Sequence, residues 1–90
     1  MCHYVYMLLV KNSKKKISYV GYAKDPNKRL IKHNSGLGAK FTRGRKWNII
    51  FKKKLNNKND ALKYEYKLKK NIKLRKSIKK KFINDQSSKR

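Results

Sequence analysis

The segment His3 to Val10 most restricts what this chain can become. It is rich in β-formers and bounded by the polar turn cluster Lys11-Asn12-Ser13-Lys14. A second β-prone run, Ile17 to Ala23, follows at once, and so short a connection argues for an antiparallel hairpin. Asp25-Pro26 then starts a helix, with Asp as N-cap and Pro at the first helical position. Gly36 ends it in the left-handed conformation. From Ser35 to Lys46 the chain has three glycines, several cations and little periodicity. That stretch reads as a basic loop, the most mobile part. Trp47 to Leu55 reads as a third strand. Asn59-Asp60 opens a second helix that reaches about Lys70, where Asn71 can break it. A third runs from about Leu74 to Ile83. The order ββαβαα predicts an α/β fold, a small three-stranded antiparallel sheet with flanking helices. Residues 1–84 are expected to form one domain, and residues 85–90 a disordered polar tail.

Ninety residues make one small domain, near the size at which a single core is marginal. Apolar residues are 38% of the chain, enough for one thin layer of helix on sheet. A deep, sequestered ligand cavity is excluded on that ground, so any active surface should be shallow. The charge is the next constraint. Twenty-eight Lys and Arg stand against four acids, a formal net charge of +24, and a folded body so charged repels itself. Of these cations 23 are Lys, partly the mark of an A/T-rich coding sequence, but four acids are fewer than such drift would leave. A polyanionic partner relieves the repulsion, and each phosphate contact on duplex DNA lowers the log–log salt slope by about 0.9. An acidic membrane surface fits less well, because no long amphipathic segment with bulky apolar anchors is present. The run Tyr4 to Val10 is too short to span a bilayer and lacks signal-peptide features. The single cysteine, Cys2, cannot pair internally, and with His3 it falls short of a zinc site. A reduced, intracellular setting without membrane attachment is expected.

A few polar residues have the chemistry such a partner would call on. At helical spacing Ala61, Leu68 and Ile72 share a stripe with Glu65 in its middle. A carboxylate facing the body of a small protein is costly unless paired or bound to a cation. Two readings remain open: an i,i+4 salt bridge to Lys69, or a ligand for a divalent metal. Asp25 and Asp60 are explained as helix N-terminal residues and Asp85 as tail, which leaves Glu65 as the metal-anchoring candidate. One carboxylate suits a hard ion that keeps waters and takes phosphate oxygens, such as Mg²⁺ with Mn²⁺ as a substitute. Arg29 and His33 lie four apart on the first helix. They are either two solvated side chains on a basic helix or a functional pair. In the second case Arg29 grips a phosphate, and His33 contacts a phosphate oxygen or shuttles a proton. Tyr4, Tyr6, Tyr19 and Tyr22 concentrate in the hairpin, with Tyr4 and Tyr6 on one face of the first strand and Val5, Met7 and Leu9 on the other. Ordinary β-propensity accounts for Tyr4. A phenol has a pKa near 10, so acting as a base requires nearby cations. Gly21 ends the second strand, where the backbone approaches a neighbour or substrate closely.

At these residues the sequence resembles the GIY-YIG nuclease family. Tyr4-Val5-Tyr6 stands where that family has Gly-Ile-Tyr, and Tyr19-Val20-Gly21 where it has Tyr-Ile-Gly. Arg29, His33 and Glu65 follow at the family's spacing. The stretches His33-Asn34-Ser35-Gly36 and Ala39-Lys40-Phe41-Thr42-Arg43-Gly44 match as well. The likeness runs from residue 3 to about residue 80. It is especially close to small stand-alone bacterial members and to the catalytic half of Slx-type structure-specific nucleases. The resemblance implies catalytic Tyr6, Tyr19, Arg29, His33 and Glu65. Tyr6 would be the base toward water, Tyr19 a positioning or alternative proton-accepting phenol, Arg29 the phosphate clamp, His33 a proton-handling or phosphate-contacting group, and Glu65 the metal ligand. Tyr4 replaces the family's first glycine, as in the small stand-alone members.

The expected function is therefore a metal-dependent endonuclease acting on DNA, with Lys40, Arg43, Arg45 and Lys46 as nucleic-acid-binding residues. The chain is expected to lack the zinc-binding module of the Slx-type nucleases and any appended sequence-reading domain. Affinity should then rest on phosphate contacts and shape, favouring branched, flapped or single-stranded DNA over a particular sequence. A protein partner could supply specificity. The alternative is a non-catalytic nucleic-acid binder that keeps the same fold.

Overall fold

The computed structural model describes residues 2–88. Among them the chain forms strands β1 (His3–Val10), β2 (Ser18–Ala23) and β3 (Trp47–Leu55), and helices α1 (Pro26–Asn34), α2 (Lys58–Lys70) and α3 (Ile72–Ser88). The order is ββαβαα, as expected. The sheet is antiparallel throughout, with β1 at its centre between β2 and β3. In the β1–β2 ladder Tyr6 lies opposite Gly21 and Met7 opposite Val20. The β1–β3 ladder shifts register between Met7 and Leu8, a bulge of the kind that bends a strand locally.

Period-2 alternation along β1 divides the core in two. Val5 and Met7, with Val20 from β2, meet Ala61 and Leu68 of α2. Tyr6 and Leu8, with Ala23 and Trp47, meet Leu30 of α1. Helices thus cover both faces of the sheet, rather than the single layer that the apolar content allowed. Each large side chain buried this way contributes roughly 1.5–3 kcal/mol, and Tyr6, Met7, Leu8, Trp47 and Leu68 are all fully buried.

Asp25 caps α1 as expected, its carboxylate accepting from the Lys28 N–H at 3.2 Å with Pro26 in the first turn. Gly36, at φ 84°, follows the end of α1. The cap of α2 is Asn57, whose side-chain oxygen accepts from the Asp60 N–H at 2.8 Å, so the helix begins at Lys58. Asn71 breaks the α2 path, and its side chain accepts from the Leu74 N–H, serving α3 instead. Ile72 is therefore not on the α2 stripe with Glu65. It opens α3 and is 58% exposed. The third helix also runs past the expected end at Ile83, so residues 85–88 are helical where a tail was anticipated; residues 89 and 90 lie outside the described residues. The basic loop is built around a short 3-10 turn, Lys40–Thr42, with Thr42 fully buried. Among the described residues no helix is long and apolar enough to cross a membrane.

Candidate active site

Gly21 makes the site's geometry possible. A Cβ at this position would lie 2.5 Å from the Tyr6 hydroxyl and 2.6 Å from its ring carbon. Any larger residue would displace the phenol. The close approach expected at Gly21 is thus to a neighbouring side chain, in the middle of β2 and not at its end.

Tyr6 and His33 are both fully buried, and the Tyr6 hydroxyl lies 2.8 Å from His33 Nε2. On the other side of the imidazole, Nδ1 lies 2.9 Å from Thr42 Oγ1. The Thr42 hydroxyl donates its one proton to the Ala39 carbonyl at 2.8 Å. Thr42 can therefore only accept from His33, which places the imidazole proton on Nδ1. Nε2 is then the acceptor and the Tyr6 O–H the donor. Burial lowers the His33 pKa from 6.5, and the nearby Arg29 charge lowers it further, so the ring is neutral at pH 7. Burial likewise raises the Tyr6 phenol above 10.0; the Arg29 guanidinium beside it opposes that rise, whereas the Tyr19 and Glu65 charges add to it. Tyr6 is accordingly protonated at rest. Gly38 completes the cradle, since a Cβ there would fall on His33 Nδ1.

Arg29 projects from α1 toward the same phenol. Its Nε is buried and has no hydrogen-bond partner among the described residues, a costly state for a donor on a cation. A phosphate oxygen is the kind of acceptor that would satisfy it. The reading of Arg29 and His33 as two solvated side chains is thereby set aside. So is direct phosphate contact by His33, because both of its nitrogens are already engaged. Tyr19 is half-buried, with its ring centroid 5.0 Å from that of His33 and 6.5 Å from that of Tyr6.

Glu65 comes from α2, the helix on the other face of the sheet. Its side chain is 18% exposed, and the contact to Lys69 is 3.5 Å, so the i,i+4 pair is present but loose. Its charge is the smallest of the influences that raise the Tyr6 phenol. Among the described residues no group of three His, Cys, Asp or Glu forms a metal cage. The donor on offer is a single hard carboxylate, partly exposed and only loosely paired. Such a donor fits a divalent ion that keeps its waters and is completed by substrate oxygens, and does not fit zinc.

Lys40, Arg43, Arg45 and Lys46 are all exposed on the basic loop. Arg45 donates to the Phe41 carbonyl at 2.8 Å, and Lys46 to the Asn34 carbonyl at 2.6 Å. The residues that hold this loop were not singled out from sequence. The Trp47 indole N–H donates to the Thr42 carbonyl at 3.0 Å. Asn34 acts like a strand partner, accepting from the Trp47 N–H at 2.7 Å and donating to its carbonyl at 3.3 Å. Thr42, Asn34 and Gly38 act through tertiary contacts that no local spacing announces.

A family model described as the GIY-YIG catalytic domain matches residues 2–81. The sequence is similar to the UPF0213 protein of Staphylococcus saprophyticus, 43% identical over 68 residues, which are 74% of this chain and 79% of that relative. A UPF0213 protein of Staphylococcus aureus is 44% identical with the same coverage. Among solved structures, the UPF0213 protein from Bacillus halodurans, determined in solution by NMR, is similar with a TM-score of 0.50 and 37% identity. That match covers 86% of this chain and 80% of the other.

Proposed function

The chain belongs to the GIY-YIG catalytic-domain family, a nuclease family, and on that premise we propose that it is an endonuclease cleaving DNA phosphodiesters with the help of a divalent metal. The observation that carries the reading is the buried, unpartnered Arg29 Nε beside a phenol already hydrogen-bonded to a neutral imidazole. Arg29 binds the scissile phosphate and stabilises the charge that grows on it. Water attacks the phosphorus in line. Its proton passes to the Tyr6 oxygen as Tyr6 gives its own proton to His33 Nε2, so the phenol need never ionise fully. Thr42 fixes the tautomer that makes Nε2 available. Tyr19, at the half-buried edge of the cluster, orients the attacking water or the phosphate. Glu65 would hold the metal together with water and phosphate oxygens. That ion, when bound, supplies neutralisation of charge on the phosphate and the departing oxygen. Lys40, Arg43, Arg45 and Lys46 hold the backbone to either side, which favours structure over sequence. A protein partner would refine the choice of substrate.

One observation favours the rival reading, a non-catalytic binder: Tyr6 has no exposed surface in this state. The two are separated by incubating the protein with labelled duplex, flap, four-way-junction and single-stranded DNA, with Mg²⁺ or Mn²⁺ and with chelator. The nuclease gives metal-dependent product on a branched or single-stranded substrate. Tight binding without product under every condition would establish the binder.

A further inference from the structure

Phe41 is half-exposed, although it adjoins the fully buried Thr42 and Trp47. Its own relative exposure is 50%, whereas Thr42 and Trp47 have none. An aromatic ring serving the core would be covered. This ring is instead presented at the surface. Its backbone lies in the Lys40–Thr42 turn, pinned by the Trp47 indole on Thr42 and by the Arg45 guanidinium on the Phe41 carbonyl. Its face runs nearly parallel to the Tyr19 ring, 22° apart with centroids at 6.3 Å. The Arg45 guanidinium lies over it, 5.3 Å from the centroid.

A cleft of about 230 Å³ opens beside the pair, lined by Tyr19, Phe41, Lys69 and Arg75 among others. It is smaller than the roughly 300–1,000 Å³ of sites for drug-sized ligands. One wall is aromatic and the other cationic, and no acid lines it. The chemistry that matches is one nucleotide unit, a flat base against the rings and its phosphate against the cations. A base inside a duplex is stacked on both faces and cannot present itself this way. Arg75 is partly committed, since its guanidinium donates to the Leu68 and Lys69 carbonyls at the end of α2. Lys69, paired only loosely with Glu65, is the cation more free to meet phosphate.

The geometry points to Phe41 as a stacking platform for an unpaired base next to the scissile phosphate, making this a subsite for single-stranded or flapped DNA. Its place next to a cleaved bond rests on the nuclease reading, whereas the subsite itself is a matter of binding. The test therefore uses a short single-stranded oligonucleotide carrying 2-aminopurine, and its duplex, titrated with protein in chelator. Stacking on Phe41 quenches the probe in the single strand. Phe41→Ala should remove the quench and weaken single-strand binding about tenfold, the lower part of the range for one base–aromatic stack, while leaving duplex affinity unchanged. Phe41→Trp should retain both. Phe41→Leu, which keeps apolar cover over Trp47, should behave like the alanine variant, and a thermal melt reports whether each variant is folded. Equal weakening of duplex and single strand, or wild-type binding by Phe41→Leu, would overturn the subsite. If wild-type protein cuts nothing in Mg²⁺ yet shows the Phe41-dependent quench, the nuclease reading fails and the subsite stands.

Discussion

His33 and Glu65 are held in opposite ways. His33 is fully buried, with hydrogen bonds at both ring nitrogens from partners on two other elements. Glu65 keeps some exposure and meets Lys69, on its own helix, only in a loose 3.5 Å contact. On the proposed mechanism, the proton-handling half of the site is built into the fold, because the buried imidazole and phenol have to be satisfied for the core to form. The charge-neutralising half is adjustable, to be completed by an ion and by phosphate. In that proposal, a fixed hydrogen-bonded cluster and a loosely held carboxylate are a sensible division for a shallow surface that accepts a large polyanion.

The contrast can be broken in four places. The largest effect is expected at Arg29, whose guanidinium lies beside the Tyr6 phenol. Arg29→Ala should lower the cleavage rate by about 10²–10³-fold, the usual cost of losing one preorganised charge-stabilising donor, as measured by single-turnover kinetics on a flap substrate. DNA affinity should fall far less. Next, Thr42→Val keeps shape but leaves the His33 Nδ1–H buried without an acceptor. It should cost about 1–3 kcal/mol in urea unfolding, and cleavage should drop because the tautomer is no longer fixed. An unchanged unfolding midpoint would remove the prebuilt half of the comparison.

The pH dependence follows from His33. Its folded pKa lies below 6.5, so between that value and 6.5 the unfolded chain holds more protons than the folded one. This contribution is complete above about pH 6.5 and is lost as pH falls through the folded pKa. Unfolding midpoints should accordingly decline on acidification from about pH 7.5 to 5.5, and His33→Gln should flatten that decline. The smallest effect is expected at Lys69. Lys69→Met removes a partly exposed ion pair, worth about 0–1 kcal/mol, and should leave the melting temperature almost unchanged. A large loss there would mean that Glu65 is structurally fixed after all.

How much was legible in the sequence varies with where the information resides. The hairpin and α1 were readable because their signals are local: alternation, a turn cluster, and Asp25-Pro26. The end of α3 was not, because its Lys-rich surface has no sharp stop and its helix continues to Ser88. Spacing placed Arg29 and His33 one turn apart, but not the inversion that follows. On α1 the helix buries His33 completely and leaves Ile31 68% exposed, the reverse of what hydrophobicity ranks would choose. That inversion exists because Tyr6 and Thr42 satisfy the imidazole, and their convergence is tertiary. The basic loop looked featureless for the same reason. Its order comes from Asn34, Thr42 and Trp47 meeting across distant positions, and no run of residues between 35 and 46 encodes it.

The most direct test of the central claim is Glu65→Gln, which removes the charge that would hold the metal and preserves the side chain's shape. Assayed with labelled flap DNA in Mg²⁺, the variant should bind DNA as the wild type does, melt at nearly the same temperature and give no product. Cleavage at the wild-type rate would contradict the assignment of Glu65 and, with it, the metal-assisted mechanism.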